Sequence, residues 1–203
     1  MVQVWMVRMD RALSERESAA LTACLPPERQ ARLKGEQPRQ RTEALCAYGL
    51  LLALLRDRYG WTALPPMERT ENGKPFFSGY PQVHFSISHT AGAATAAVSD
   101  APVGVDIQYI QTPPRRLTYL TGLEEPEAFF GSWVRWEARA KRTGTGILDM
   151  VRRQPPLAPG EICTEVRTFQ GYRAAAAGTD RAEPEQMRQL TVDDLLCRLD
   201  IWA

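Results

Sequence analysis

The chain has 203 residues, of which 44% are hydrophobic and 24% are charged. These fractions are typical of a globular protein and exclude an intrinsically disordered chain, and the length allows one domain or two small ones. The formal net charge is +1, so no overall basic field predicts nucleic acid as a partner.

Sorting signals and membrane segments are not evident in the sequence. Arg8 and Asp10 interrupt the first residues, so we expect no signal peptide. The longest apolar run, 44–55, is too short for a span, which needs roughly twenty residues. The four cysteines form no CxxC pair and two histidines cannot build a His-rich zinc site. We therefore expect reduced thiols in a cytoplasmic protein that has no membrane partner.

The chain opens with a predicted strand over 2–9 and a predicted helix. Ser14 followed by Glu17 has the spacing of a capping box, which favours a helix that runs to about Ala23. A second short helix is predicted over 28–34.

A long helix is predicted over about 42–59, because leucines recur there every three or four residues. Gly35 and Pro38 are expected to separate it from the preceding helix, and Gly60 to end it. Basic residues cluster between positions 29 and 41. They form either a solvated helix surface or a phosphate cradle, and the pattern alone leaves both interpretations open.

Three strands are predicted between Val83 and Gln108, and they organise the rest of the chain. The runs 83–88 and 103–107 alternate apolar and polar residues, and 93–98 is apolar throughout. Ahead of them, Asn72 and Gly73 predict a tight turn that presents Lys74, either as a phosphate contact or as a plain hairpin tip.

Polar side chains capable of binding ions lie on these strands. Ser88 and His89 end the first strand, while Asp106 and Gln108 share one face of the third. If the opposite face of the third strand is core, Asp106 lies on an open face. It is then either a solvated carboxylate or a metal ligand.

The remaining residues predict one clear helix and several weaker elements. Ser132 is expected to cap a helix over 133–142 in which Trp133, Glu137 and Lys141 share one face. Glu137 and Lys141 alone could be a surface ion pair. We predict an irregular segment over 111–122, one or two helical turns over 124–130, a proline-rich loop from Ile147, strands over 161–169 and 172–177, and a helix over 191–199 capped by Thr191.

Several separate segments together resemble a 4'-phosphopantetheinyl transferase of the larger single-chain type, which activates polyketide and nonribosomal peptide synthases. The matching segments occur in the family's order and cover most of the chain. They are Asn72-Gly73-Lys74-Pro75, Phe85-Ser86-Ile87-Ser88-His89, Gly104-Val105-Asp106-Ile107 and Trp133-x-x-x-Glu137-Ala138-x-x-Lys141, with Arg41 before the long helix and Gly171-Tyr172 near the end.

The resemblance implies an α+β fold of two similar α/β half-domains related by a pseudo-twofold axis. The halves would be 1–102, which binds the coenzyme A phosphates and adenine, and 103–203, which carries the magnesium and catalytic residues. The active site would lie in the cleft between them. The implied reaction transfers 4'-phosphopantetheine from coenzyme A to a serine of an apo acyl or peptidyl carrier protein and releases adenosine 3',5'-bisphosphate. The single-chain type implies a monomer.

The resemblance also implies a role for each matched residue. Arg41, Lys74, Ser88 and His89 would hold the coenzyme A phosphates, and Pro75 would border the adenine. Asp106 and Glu137 would bind Mg²⁺, and Glu137 would accept the serine proton directly or through a water. Lys141 would lie beside the pyrophosphate.

The chemistry requires these residue types independently of the resemblance. Attack on a pyrophosphate phosphorus requires its oxygens to be neutralised by Mg²⁺ and basic side chains. Mg²⁺ takes hard oxygen ligands and commonly only two or so from protein. A serine hydroxyl becomes a good nucleophile only when a base removes its proton.

Three features depart from the family's pattern. Gln108 replaces a usual glutamate, so its amide oxygen would be the third metal ligand and Mg²⁺ binding would be weaker. Trp136 replaces a usual lysine. The segment between Asp106 and Glu137 is short, and residues 111–131 correspond to a region that contributes to carrier docking in the family. The alternatives to an active transferase are a non-catalytic relative that binds coenzyme A or a carrier protein, and an unrelated α+β protein.

Overall fold

The computed structural model describes residues 1–181 and 183–201 and has a mixed, α+β architecture. Two sheets, each covered by a long helix, make up most of it. Up to residue 102 the elements are β1 (Val2–Arg8), α1 (Glu15–Ala23), α2 (Pro27–Leu33), α3 (Pro38–Tyr59), β2 (Met67–Arg69), β3 (Pro75–Phe77), β4 (His84–Thr90) and β5 (Ala93–Ser99). Beyond it are β6 (Gly104–Tyr109), α4 (Arg115–Thr121), α5 (Pro126–Thr143), α6 (Ile147–Arg153), β7 (Ile162–Glu165), β8 (Tyr172–Gly178), a 3₁₀ turn (Pro184–Gln186), β9 (Met187–Leu190) and α7 (Val192–Arg198).

The first sheet has the strand order β4-β5-β1-β9 and is built around α3. Its first three strands pair antiparallel, and β9 pairs parallel with β1. Every residue of α3 from Glu43 to Leu55 is buried, because the sheet covers one side of α3 while α1 and α7 pack on others. The predicted long apolar helix is therefore the centre of the main core.

The second sheet has the order β6-β8-β7, is antiparallel, and packs against α5. On its other face, Val103, Val105 and Ile107 are fully buried in a core shared with Val4 and Met6 of the first sheet. This confirms the core face predicted for the strand. The opposite face is not open, however, because α5 lies over it.

Gly104 sets the distance between α5 and β6. A Cβ atom at this position would lie 1.9 Å from the backbone oxygen of Ala138 and 2.4 Å from the backbone nitrogen of Arg142. Only a residue without a side chain allows the helix to approach the strand this closely.

The two sheets meet where β6 runs beside β4. The Val105 backbone N–H donates to Ser86 Oγ at 3.1 Å, so a side chain of one strand caps the backbone of the other. The C-terminal part of the chain also returns to the first sheet, since β9 pairs with β1 and α7 packs on α3.

Several predicted boundaries are confirmed. Ser14 and Thr191 each form a complete capping box, with Glu17 and Asp194 respectively. Gly60 ends α3 in the left-handed conformation.

No helix of the described ranges is both long and apolar enough to cross a membrane.

Other predicted boundaries are wrong. The helix that carries Glu137 begins at Pro126 and is capped by Glu125, so Ser132 lies inside the helix and does not cap it. The low helix propensity of serine is a weak preference that tertiary packing overrides. Pro38 begins α3 instead of breaking the chain, as proline fits the first helical turn. Helices occupy 115–121 and 147–153, where irregular chain was expected, and β9 was not predicted.

Candidate active site

Six of the residues predicted from the sequence line one cleft of about 330 Å³ at the junction of β4, β6 and α5. We call it the central cleft. The six residues are Ser88, His89, Asp106, Gln108, Glu137 and Lys141. Three separate segments of the chain contribute these six residues, so the ordered motifs of the sequence converge in space.

Asp106 is the anchor of the cleft and is only 1% exposed. Its Oδ1 accepts hydrogen bonds from Ser88 Oγ and from Lys141 Nζ, both at 2.6 Å, and its Oδ2 accepts one from Gln108 Nε2 at 3.2 Å. A carboxylate is buried stably only when such donors replace water. The interpretation of Asp106 as a solvated surface carboxylate is therefore wrong.

Glu137 lies on α5 one turn before Lys141 and faces the same cleft. Burial raises the pKa of its carboxyl group, the negative charge of Asp106 raises it further, and Lys141 opposes the change. Among the described residues, none donates a hydrogen bond to the Glu137 carboxylate. A raised pKa makes the carboxylate a stronger base, and a carboxylate that accepts no hydrogen bond can receive a proton from a substrate.

His89 is paired with a buried residue of α3. Its Nδ1 lies 3.3 Å from Glu43 Oε2, and Glu43 Oε1 accepts a hydrogen bond from Arg39 Nε at 3.1 Å. Glu43 was not predicted as a site residue, because it stands within the apolar pattern of the helix.

The β2–β3 hairpin borders a second cavity that shares Glu137 and Lys141 with the central cleft. Pro75 lines it, and the Lys74 ammonium donates to the backbone oxygens of Val103 at 3.1 Å and Arg142 at 2.8 Å. Burial, and secondarily the charge of Arg142, lowers the pKa of Lys74 to about 8. Lys74 thus ties the hairpin to the end of α5.

Arg41 lies away from the other predicted residues. It lines a separate cavity beside α1, together with Glu15, Ser18 and Glu36. The structure does not bring it into the central cleft.

The central cleft is also lined by three residues that were not among the predicted site residues, namely Arg29, Tyr48 and Arg69. The guanidinium of Arg29 lies 4.8 Å above the Tyr48 ring, and its Nε is buried with no hydrogen-bond partner among the described residues. The basic cluster around Arg29 was a signal that left two interpretations open. Arg69 stands in a strand of three residues, too short to be predicted.

The side-chain oxygens of the central cleft fit a magnesium ion whose remaining ligands come from the substrate and water. Within the described ranges, no group of three or more His, Cys, Asp and Glu side chains is arranged to hold a metal by itself. Burial raises the Glu137 pKa and the like charge of Asp106 raises it further. A divalent cation bound by both carboxylates would relieve that repulsion. Gln108 donates to Asp106 here, so its predicted role as a ligand requires the amide to rotate.

Comparison with known proteins identifies relatives of one kind. No protein-family profile matches the chain. The chain is 39% identical over 167 residues to 4'-phosphopantetheinyl transferase psf-1 of Bacillus pumilus, covering 66% of this chain and 72% of that protein. It is 24% identical over 231 aligned positions to 4'-phosphopantetheinyl transferase Sfp of Bacillus subtilis, covering 96% of this chain and 100% of that protein. The chain therefore belongs to the 4'-phosphopantetheinyl transferase family.

Proposed function

We propose that the protein transfers the 4'-phosphopantetheine group from coenzyme A to a serine hydroxyl of an apo acyl or peptidyl carrier protein and releases adenosine 3',5'-bisphosphate. One observation carries this proposal beyond the family: Asp106, Glu137 and Lys141 meet in one cleft with Ser88 and His89. Carboxylates, an ammonium, a hydroxyl and an imidazole together suit a metal-assisted attack on a pyrophosphate.

In the proposed reaction the serine oxygen attacks the pyrophosphate phosphorus that carries the pantetheine arm. Glu137 takes the hydroxyl proton, and the bond from that phosphorus to the bridging oxygen breaks, so that the bisphosphate leaves with the electron pair. Lys141 stabilises the charge that develops on the phosphate oxygens. When bound by Asp106, Glu137 and the turned amide of Gln108, Mg²⁺ would supply further neutralisation of those oxygens.

Coenzyme A carries several phosphate charges, and the basic residues of the cleft match them. Arg29 and Arg69 line the central cleft beside His89 and Ser88. Lys74 and Pro75 border the adjoining cavity, where the adenine would lie. A role for Arg41 stays a prediction, since it lies in the cavity beside α1.

The proposal extends to the organisation of the chain. The halves 1–102 and 103–203 would be related by a pseudo-twofold axis, and the packing of one long helix on each sheet supports this. The pairing of β9 with β1 crosses the boundary.

All four cysteines are free thiols, which supports a cytoplasmic location, and we propose a monomer.

A direct test is mass spectrometry of an apo carrier protein incubated with the protein, coenzyme A and Mg²⁺. The carrier is expected to gain the mass of one phosphopantetheine group, and EDTA should abolish the gain. A panel of acyl and peptidyl carriers that all remain unmodified would overturn the proposal.

A second function, binding of coenzyme A or a carrier without transfer, is favoured by one observation. Gln108 donates a hydrogen bond to Asp106 where the family usually has a further carboxylate. Coenzyme A binding without labelling, together with labelling by a protein carrying Gln108→Glu and Trp136→Lys, would establish this second function.

A further inference from the structure

We propose that Glu43 is a positioning residue, which holds the His89 ring so that one defined nitrogen faces the central cleft. This inference rests on the proposed function, because it assigns the orientation of a group that would contact coenzyme A. It concerns a residue of α3 that lies outside the motifs singled out in the sequence.

The burial of Glu43 requires an explanation. The residue is 8% exposed, whereas its helical partner Arg39 has a side chain that is 73% exposed. An exposed pair spaced i, i+4 contributes only a few tenths of a kcal/mol. Arg39 therefore does not offset the removal of a carboxylate from water, and a nonpolar residue would pack more favourably at this position.

The contact with His89 supplies that explanation. Glu43 Oε2 lies 3.3 Å from His89 Nδ1. A carboxylate can only accept, so the hydrogen must stand on Nδ1 of His89. This assignment leaves Nε2 as the nitrogen that faces a ligand, and Nε2 donates to a phosphate oxygen when the ring carries both hydrogens.

The position of His89 makes the orientation useful. The side chain is 36% exposed and lines the central cleft with Arg29, Arg69 and Ser88. A ring that rotates freely presents its ligand-binding nitrogen only part of the time, and the binding of an anion must then order it. Glu43 orders the ring in advance, in the manner of outer partners that fix the histidines of metal sites.

The experiment measures coenzyme A binding by calorimetry and carrier labelling by mass spectrometry for Glu43→Leu, Glu43→Gln and Arg39→Gln. Glu43→Leu is expected to raise the Kd and KM for coenzyme A about tenfold while kcat changes less than twofold. Glu43→Gln keeps an acceptor for Nδ1 and should recover most of the affinity. Arg39→Gln is the matched control and should change neither constant by more than about twofold.

A double-mutant cycle separates positioning from a general structural role. In a His89→Ala background, Glu43→Leu should have no further effect on the affinity, because the ring it positions is absent. The melting temperature of Glu43→Leu should not fall, because a buried charge is replaced by a nonpolar group. An equal loss of affinity in both backgrounds, or unchanged affinity in Glu43→Leu, would overturn the inference. If the unmodified protein neither binds coenzyme A nor labels a carrier, the proposed function fails instead.

Discussion

The Lys141 ammonium and the Asp106 carboxylate form a 2.6 Å ion pair in which the lysine side chain is 30% exposed and the aspartate side chain 1% exposed. Lys141 thereby occupies an oxygen that a metal ion would also use. Two cations cannot share that oxygen without repulsion, so the lysine competes with the metal in the free protein.

Replacement of Lys141 should therefore change metal binding before any substrate is present. We expect Lys141→Met to bind Mn²⁺, used as a paramagnetic substitute for Mg²⁺, at least about tenfold more tightly in the absence of coenzyme A, a change of roughly 1.4 kcal/mol. Electron paramagnetic resonance of free Mn²⁺ measures this directly. Lys34→Met removes an exposed ammonium elsewhere and serves as the control. Equal Mn²⁺ affinity in all three proteins would contradict the competition.

Glu137 is expected to be required for the chemical step. Glu137→Gln preserves the shape of the side chain but cannot accept a proton, so kcat should fall by about 10² or more while the Kd for coenzyme A changes little. Asp106→Ala should also lower kcat by orders of magnitude with the fold intact, since Asp106 organises Ser88 and Lys141. Single-turnover labelling checks both variants against Glu185→Gln, an exposed glutamate. Near-normal rates for Glu137→Gln would show that another group is the base.

The two arginines Arg29 and Arg41 can be ranked by their effect on coenzyme A. Arg29 lines the central cleft and Arg41 lines the cavity beside α1. We expect Arg29→Ala to raise the KM about tenfold or more, because an arginine that contacts phosphate makes charge-assisted hydrogen bonds. Arg41→Ala, predicted from the sequence to raise the KM, should have the smaller effect. The opposite order would place the phosphates nearer α1.

Gly104 should be intolerant of any side chain. In Gly104→Ala the new methyl group would meet the Ala138 backbone oxygen at 1.9 Å, so α5 must move away from β6. We expect the free energy of unfolding to fall by about 3 kcal/mol, and labelling to slow by at least about tenfold because Glu137 and Lys141 move with the helix. Gly79→Ala is the control, since no described residue other than its chain neighbours lies within 4 Å of the added Cβ. Denaturant titration that finds the two variants equally stable would contradict this close approach.

Glu17 should make the stability depend on pH. Two hydrogen bonds from Arg11, at 2.8 and 2.9 Å, lower its pKa from 4.5 to about 2. A carboxyl group whose pKa is lowered by folding stabilises the fold above its unfolded pKa, and this contribution disappears as the pH falls from 4.5 through 2. The free energy of unfolding of Glu17→Gln should therefore be about 2 kcal/mol lower than that of the unmodified protein at pH 7.

The same urea titrations at pH 7, 4 and 3 provide the check. The difference between Glu17→Gln and the unmodified protein should shrink steadily as the pH falls. Glu15→Gln, two residues away and exposed, should match the unmodified protein to within about 0.5 kcal/mol at every pH. A difference that does not depend on pH would assign the effect of Glu17 to packing.

The parts of the fold that follow from local patterns were predicted, and those that depend on distant contacts were not. The capping residues Ser14 and Thr191 and the strand 103–107 carry their signal within a few residues. β9 has four residues and is a strand because β1 is available to pair with it, which no local pattern reveals. The helix at 115–121 is similarly short, and its prolines favoured an irregular segment.

The candidate site divides in the same way. Ser88, Asp106, Glu137 and Lys141 belong to ordered motifs, and the structure brings them together. Glu43 could not be recognised, because a single carboxylate within an apolar helix has the same pattern whether it faces solvent or a histidine. The position of Arg41 depends on the rotation of α3 about its axis, and spacing alone does not determine which neighbour a residue faces.

The parallel pairing of β9 with β1 has a consequence for synthesis. β1 acquires its neighbour β9 only after residues 187–190 have been made, so one edge of β1 stays open until then. An open edge that is nonpolar on both faces is prone to pair with other chains. Nascent chains that stall before residue 187 would then accumulate as aggregates, and a chaperone that shields this edge would raise the yield of the finished protein.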